Sequence, residues 1–243
     1  MRLTVGTRND SDRADWVVKT LKGIPAGWRI LDAGAGELRY KKYCSHLAYV
    51  SQDFAQYDGS GDNKGMQTGK WDQTKLDIVC DIASIPEPDG SFDAILCVEV
   101  FEHLPDPLLA LKEFSRLLKK GGILILTAPF CSITHFAPFH FATGFNRYFY
   151  ETHLPKAGLT IQEMSANGNY FEFVGQEVRR IKEVASKYST TPVNVYEKVA
   201  IKIVLALLQR LSASGQQSSE LLNFGFHVKA VKGDAVAFDR SKM

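Results

Sequence analysis

Arg29-Ile30-Leu31-Asp32-Ala33-Gly34-Ala35-Gly36 is the stretch on which the fold turns. Ile30 and Leu31, followed by an acid, read as a short strand that runs directly into a glycine turn. Such a turn lets backbone approach a ligand where side chains would collide. If a helix follows from Gly36, its first amides favour a carboxylate or phosphate. A purely structural strand-to-helix turn is the alternative, so the loop alone fixes no ligand. Leu38-Arg39 stands where the third glycine of GxGxxG would fall, so the dinucleotide fingerprint is incomplete.

Outward from this loop, strand and helix patterns alternate. Upstream, Ala14, Val17, Val18 and Leu21 recur at helical spacing over residues 12 to 22, with Asp12 as the expected cap. Downstream, residues 46 to 53 read as a second strand ending in Asp53. Residues 57 to 73 are rich in Gly, Asp, Asn and Gln and read as an irregular crossover. Residues 76 to 81 make a third strand ending in Asp81. Phe92 to Val98 is a near-continuous apolar run of the kind buried on both faces. A helix from Pro107 to Lys119 follows, with Leu108, Leu111, Phe114, Leu117 and Leu118 on one face and Gly121-Gly122 as its stop. Ile123 to Thr127 is the fifth strand. The pattern predicts an α/β fold with a mostly parallel sheet covered on both sides. Ligands are expected at the carboxyl ends of its strands.

Beyond Pro129 lies an aromatic stretch, residues 130 to 150, that contains His135, His140, Arg147 and Tyr148. A helix over 150–157 and a strand over 159–165 are expected next. Two helical patterns, 173–188 and 195–212, precede a last strand over 222–231. This predicts one domain over residues 1–243 with a helical insertion at about 170–215, before the last strand. The second inserted helix is apolar nearly all round, with Lys198, Lys202 and Gln209 on one side. Burial or a homodimer contact through 195–212 is expected of it, ahead of a membrane-surface role.

Bulk properties narrow the function. The chain is 45% hydrophobic and 23% charged, as in ordinary globular proteins. Its formal net charge of +2 demands no polyanionic partner, and no nucleic-acid-binding signature appears. Cys44, Cys80, Cys97 and Cys131 form no CxxC pair and read as reduced thiols, which points to the cytoplasm. The N-terminus is too polar for a signal peptide, and no run is long and apolar enough for a spanning helix.

Asp53 lies about twenty residues past the glycine loop, where an acid can accept from both ribose hydroxyls. Asp81 can accept from an adenine amine, and the backbone at Ile82 can serve a ring nitrogen. On ILDAGAGE (30–37), YVSQDF (49–54), CDIASIPEPDGSFDAILCVEVFEHLPDP (80–107) and FSRLLKKGGILILTAPF (114–130), the chain resembles the class I S-adenosylmethionine-dependent methyltransferases, type 11 group. The resemblance implies a Rossmann-like, seven-stranded sheet flanked by helices. It also implies S-adenosylmethionine as cofactor, with Asp32, Gly34 and Gly36 at its methionyl end, Asp53 on the ribose, Asp81 and Ile82 on the adenine, and Glu99 near the amino group. Methyl transfer to oxygen on a small-molecule or glycan acceptor is expected.

His103 is the first base to test, with Glu102 orienting it. Glu99, Glu102 and His103 form an ExxEH cluster. Similar clusters hold magnesium in some ubiquinone-biosynthesis methyltransferases, but many relatives with this wording are not known to need metal, and no metal is expected. The segment with His135, His140, Arg147 and Tyr148 resembles the acceptor roof of glycan-associated members, with Arg147 as an anion clamp. Two alternatives stay open: an NAD-dependent oxidoreductase, and a non-catalytic cofactor-binding protein.

Overall fold

The computed structural model describes residues 3–214 and 217–233. In chain order it runs α1 (Asn9–Lys22), β1 (Arg29–Ala33), β2 (Ala48–Asp53), β3 (Ile78–Val79), β4 (Phe92–Val98), α2 (Pro107–Leu117), β5 (Leu118–Pro129), α3 (Arg147–Lys156), β6 (Leu159–Asn167), α4 (Tyr170–Tyr188), α5 (Val195–Ser214) and β7 (Gly225–Lys232). The strands form one seven-stranded sheet in the order β3-β2-β1-β4-β5-β7-β6. The β1–β2, β1–β4, β2–β3 and β4–β5 pairs are all parallel. β6 and β7 run antiparallel: the Gly233 amide donates to Gly158 at one end, and the Phe224 amide donates to Asn167 at the other. This is the Rossmann-like sheet expected. Its strand order reverses between β1 and β4, which opens a crevice at their carboxyl ends.

Burial follows from strand position. β4 lies between two parallel neighbours with both faces covered, so Phe92, Ala94, Ile95, Leu96 and Cys97 are all buried. Ala94 and Leu96 join Ile30, Ile125 and the α1 residues Val17 and Leu21 in one core layer. The alternate residues Leu31, Ile95, Leu124 and Leu126 point to the opposite face and are equally buried. α2 is capped by the Asp106 side chain, which accepts from the Leu108 amide, with Pro107 in its first turn. The α2 residue Arg116 reaches back to the Ile85 and Glu87 carbonyls and to Asp89, pinning the turn that leads into β4.

Several boundaries differ from expectation, each for a local reason. No α-helix follows Gly36. Leu38 takes a left-handed φ of 61°, and only a 3-10 turn at Lys41–Tyr43 precedes β2. Tyr40 and Cys44 still fill the core position that a crossover helix would cover. α1 begins at Asn9, so Asp12 lies inside it and accepts from Arg8 rather than capping. β2 begins at Ala48 rather than His46, and β3 shrinks to Ile78–Val79. There the Asp77 carboxylate accepts from the Ser51 amide and hydroxyl, and Gln52 Nε2 donates to the Cys80 carbonyl. α2 ends at Leu117, and Gly121-Gly122 lies within β5, where the β4 register slips between Phe92 and Ala94. α3 starts at Arg147, three residues before Tyr150, because Asn146 caps it.

The described residues gather into two compact units, one of 15–165 with 226–233, the other of 3–14 with 166–225. The second contains α4 and α5. Residue 215, at the end of the expected insertion, lies outside the described residues. Within this unit Leu205 and Leu208 of α5 pack with Val5 and with Phe171, Val174 and Val178. Val199, Ile203 and Leu207 stay exposed, so α5 buries only one side there. Among the described residues, no helix is long and apolar enough to cross a membrane.

Candidate active site

At the carboxyl ends of β1, β2 and β4 lies a cavity of about 500 Å³, within the usual range for small-molecule sites. Of the residues singled out in the sequence, Gly34, Asp53, Asp81, Ile82, Glu99 and His103 line it. Asp53, at the end of β2, is nearly fully buried and accepts from the Gly36 amide at 2.9 Å, the Ala55 amide at 3.0 Å and Gln73 Nε2 at 3.3 Å. A carboxylate offers about four acceptor sites, so one more donor fits without displacing any of these. The exposed Asp81 accepts from the Ala83 amide, while the adjacent Ile82 is buried. Glu99 sits just past β4 with a left-handed φ of 54°, and its Oε1 accepts from Thr127 Oγ1 at 2.9 Å. Gly34 has φ +78°, and its amide donates to the Gln52 carbonyl.

Asp32 and Gly36 support this wall without lining it. The buried Asp32 carboxylate accepts from the Tyr49 hydroxyl at 2.6 Å. Burial pushes its pKa up to about 7, against the Tyr49 hydrogen bond and with help from the Asp53 charge. Gly36 acts through its amide on Asp53.

Of the histidines singled out in the sequence, His103 lines the cavity, while His135 and His140 do not line it and pack against the His103 ring. His103 Nδ1 lies 2.6 Å from the Phe139 carbonyl oxygen, and its ring stacks on Phe136 with centroids 4.8 Å apart. Burial, then the neighbouring His135 ring, lowers its pKa to about 3, although the Phe139 carbonyl acts the other way. Glu102 is 1% exposed, and its Oε1 lies 3.6 Å from His103 Nε2 and 3.8 Å from His135 Nε2. Burial raises the Glu102 pKa. Burial opposes charge on His135 too, but contact with Glu102 and the Ile133 carbonyl outweighs it, so the His135 pKa rises. His140 is lowered, first by burial and then by His135.

Arg147 and Tyr148 do not reach the cavity. Arg147 donates to Glu151 one helical turn on, at 3.0 and 2.8 Å, and Tyr148 is 67% exposed. The anion-clamp expectation for Arg147 is therefore corrected: α3 starts early enough to place it beside its own i+4 acid.

The aromatic walls were missed in the sequence. Tyr57 and Trp71 belong to the segment read as an irregular crossover, yet both line the cavity and meet Phe136 at 4.5 and 5.2 Å. That segment pairs with the His-rich stretch: the Met66 amide donates to Thr134, and the Phe136 amide returns to Met66. A tryptophan and a tyrosine in an otherwise polar run were the available signal. Gln52, just before Asp53, is fully buried and ties the loop after β3 to the loop after β1.

Residues 31–126 match the family model of the methyltransferase domain. They form a methyltransferase domain. The chain is 33% identical over 105 residues to a ubiquinone biosynthesis O-methyltransferase of Xanthomonas oryzae pv. oryzae, a match covering 42% of this chain and 43% of the relative. It is 30% identical over 111 residues to a 2-methyl-6-phytyl-1,4-hydroquinone methyltransferase of Synechocystis, covering 44% and 33%. The chain thus spans less than half the length of the curated relatives it matches. A SAM-dependent methyltransferase structure from Archaeoglobus fulgidus aligns with TM-score 0.54 at 15% identity, over 92% of this chain and 93% of that one, and this likeness is one of fold. The cofactor that belongs with this domain is S-adenosylmethionine.

The cavity suits that cofactor's chemistry. Three carboxylates, of Asp53, Asp81 and Glu99, line it, and a carboxylate accepts from hydroxyl, amine and ammonium donors alike. Among the described residues no lysine or arginine lines it, so the diphosphate of a dinucleotide would find no cation.

Asp32 also makes stability pH-dependent in a testable direction. Its folded pKa of about 7 lies above the ordinary value of 3.8. The cost is therefore absent below pH ~4, grows as pH rises, and is complete above pH ~7, at about 4 kcal/mol. Denaturant titrations from pH 4 to 8 should show Asp32→Asn gaining on the wild type as pH rises. A constant difference across that range contradicts the assignment.

Proposed function

We propose that this protein transfers a methyl group from S-adenosylmethionine to a hydroxyl oxygen on a ring-bearing small molecule. The observation that carries this reading is a single cavity with carboxylates at the strand ends on one wall and an imidazole on the other. The Xanthomonas relative's name supports oxygen as the acceptor atom. Phe54, Phe136, Phe139 and Phe141 line the cavity and favour an apolar ring over a hydroxyl-rich glycan.

When bound, the cofactor supplies an electrophilic methyl group on a sulfonium. The chain's task is to align and to exclude water. Asp53 holds the ribose hydroxyls, Asp81 and the Ile82 backbone hold the adenine, and Glu99 meets the ammonium. Gly34 lets the backbone come close, while Asp32 and Gly36 position this wall from behind.

The acceptor's proton falls to His103. A carbonyl can only accept, so His103 Nδ1 carries a hydrogen toward Phe139 and Nε2 keeps its lone pair. With a pKa near 3 this is a weak base. It takes the proton only as the C–O bond forms and the C–S bond breaks, when that proton is most acidic. Glu102, at 3.6 Å, is the next group in line. His135 and His140 complete this wall behind His103.

The whole chain acts as one methyltransferase domain with α4 and α5 as its insertion. The exposed Val199, Ile203 and Leu207 stripe on α5 is proposed as the contact with a second copy. Ile203→Glu should then convert a dimer into a monomer in sedimentation velocity. A wild type that sediments as a monomer at micromolar concentration rejects that contact.

Calorimetry with S-adenosylmethionine, S-adenosylhomocysteine and NAD tests the main reading. The first two should bind and NAD should not. Asp53→Ala should weaken cofactor binding at least tenfold, by removal of ribose hydrogen bonds. His103→Ala should leave cofactor affinity within about threefold and lower turnover on a phenolic acceptor about 10²-fold. NAD binding without S-adenosylmethionine binding overturns the reading, and an unchanged His103→Ala rate removes His103 from it.

A further inference from the structure

Outside the strand-end carboxylates, one cluster holds more coordinating atoms than methyl transfer uses. His103, His135 and His140 each offer a ring nitrogen, and these three atoms lie within 4.8 Å of one another. Glu102 reaches into the same space, with Oε1 at 3.6 Å from His103 Nε2 and 3.8 Å from His135 Nε2. This is not the ExxEH cluster of Glu99, Glu102 and His103 noted in the sequence, for which no metal is expected. Glu99 turns away to Thr127, and two histidines more than thirty residues downstream replace it.

The tautomers are fixed from outside. His103 Nδ1 faces the Phe139 carbonyl at 2.6 Å, and His135 Nδ1 faces the Ile133 carbonyl at 2.9 Å. Both Nδ1 atoms must donate, which leaves both neutral Nε2 atoms as lone-pair acceptors facing the acceptor Oε1. Separations of 3.6 and 3.8 Å exceed hydrogen-bond length. Glu102 Oε2, His103 Nε2 and both ring nitrogens of His140 are buried without a hydrogen-bond partner. Each such atom costs about 1–3 kcal/mol when left unmade, and four in one place are not explained by packing. A proton can bridge one pair of them. A divalent cation can take one ring nitrogen from each of the three histidines at once, beside the Glu102 carboxylate.

We propose that His103, His135, His140 and Glu102 form a transition-metal site of the zinc class on the wall of the cavity. Imidazole nitrogens select zinc and its transition-metal neighbours over magnesium or calcium, which prefer all-oxygen shells. A backbone carbonyl behind each of two ligating histidines is the usual outer support of such sites. Tetrahedral zinc with ligands at ~2.0–2.1 Å needs ligand-to-ligand edges of roughly 3.3–3.4 Å. The side chains must therefore close by a few tenths of an ångström between Glu102 and the His103 and His135 nitrogens, and by up to about 1.4 Å among the three histidines. The site stands on these four residues and does not depend on the acceptor assigned above. With metal bound, the His103 lone pair is a ligand. The metal would then supply the activation of an acceptor hydroxyl, in place of proton uptake by His103.

The test uses tag-free full-length protein, stripped with a chelator and titrated with zinc against a chromophoric competitor. One zinc per chain should bind with submicromolar affinity. His140→Ala and His135→Gln should each weaken it at least 100-fold, with S-adenosylmethionine affinity and the far-UV spectrum unchanged. Cobalt loading of the wild type should give the visible bands of a four-coordinate nitrogen–oxygen site, which decides the question even where a variant fails to fold. No zinc uptake at micromolar concentration, uptake equal in wild type and variants, or cobalt bands of a six-coordinate aqua ion would each overturn the proposal.

Discussion

A side chain at Gly34 would place its first carbon 2.4 Å from Cγ2 of Val100, so the loops after β1 and β4 can meet only over a glycine. The parallel register of β1 on β4, Leu31 opposite Ile95, brings those two loops to the same level. From that approach the rest follows. Glu99 is carried beside the glycine turn, and the β2 end supplies Asp53, which clasps Gly36 from the far side. The buried β4 strand, with core on both faces, keeps this register from slipping. Crevice and core are thus consequences of one pairing at the point where strand order reverses.

Much of this was legible in the sequence because it rests on local pattern. A continuous apolar run marks a strand covered on both faces, and acids at strand ends mark the crevice. The parts that were not legible depend on contacts between distant segments or on single dihedral angles. Nothing in the text near Leu38 announces a left-handed residue, so the expected crossover helix was not excluded. Asp32 fits the motif, but its hydrogen bond to Tyr49 withdraws it from the cavity, and only the β1–β2 register shows that. Arg147 donates to Glu151, a pairing that becomes visible once α3 is known to start at Arg147, capped by Asn146.

The two walls differ in electrical character. One carries the carboxylates of Asp53, Asp81 and Glu99 and, among the described residues, no lysine or arginine. The other is built from rings: Phe136 stacks on His103, Phe139 meets Phe54 edge-on at 5.0 Å, and Tyr57 and Trp71 pack on Phe136. Such a wall excludes water and strengthens the charges that remain. It also explains the depressed His103 and the elevated Glu102, since desolvation acts first on both. The histidines come together only because the polar 57–71 segment zips onto residues 134–137. That contact lay between two stretches that a linear reading treats as unrelated.

The account turns on which wall meets the cofactor. A crystal structure with S-adenosylhomocysteine measures this directly. The account predicts adenine against Ile82 and Asp81, ribose hydroxyls within hydrogen-bond distance of Asp53, and the sulfur facing the His103 wall. A ligand seated away from Asp53, or with its sulfur turned from His103, would contradict it.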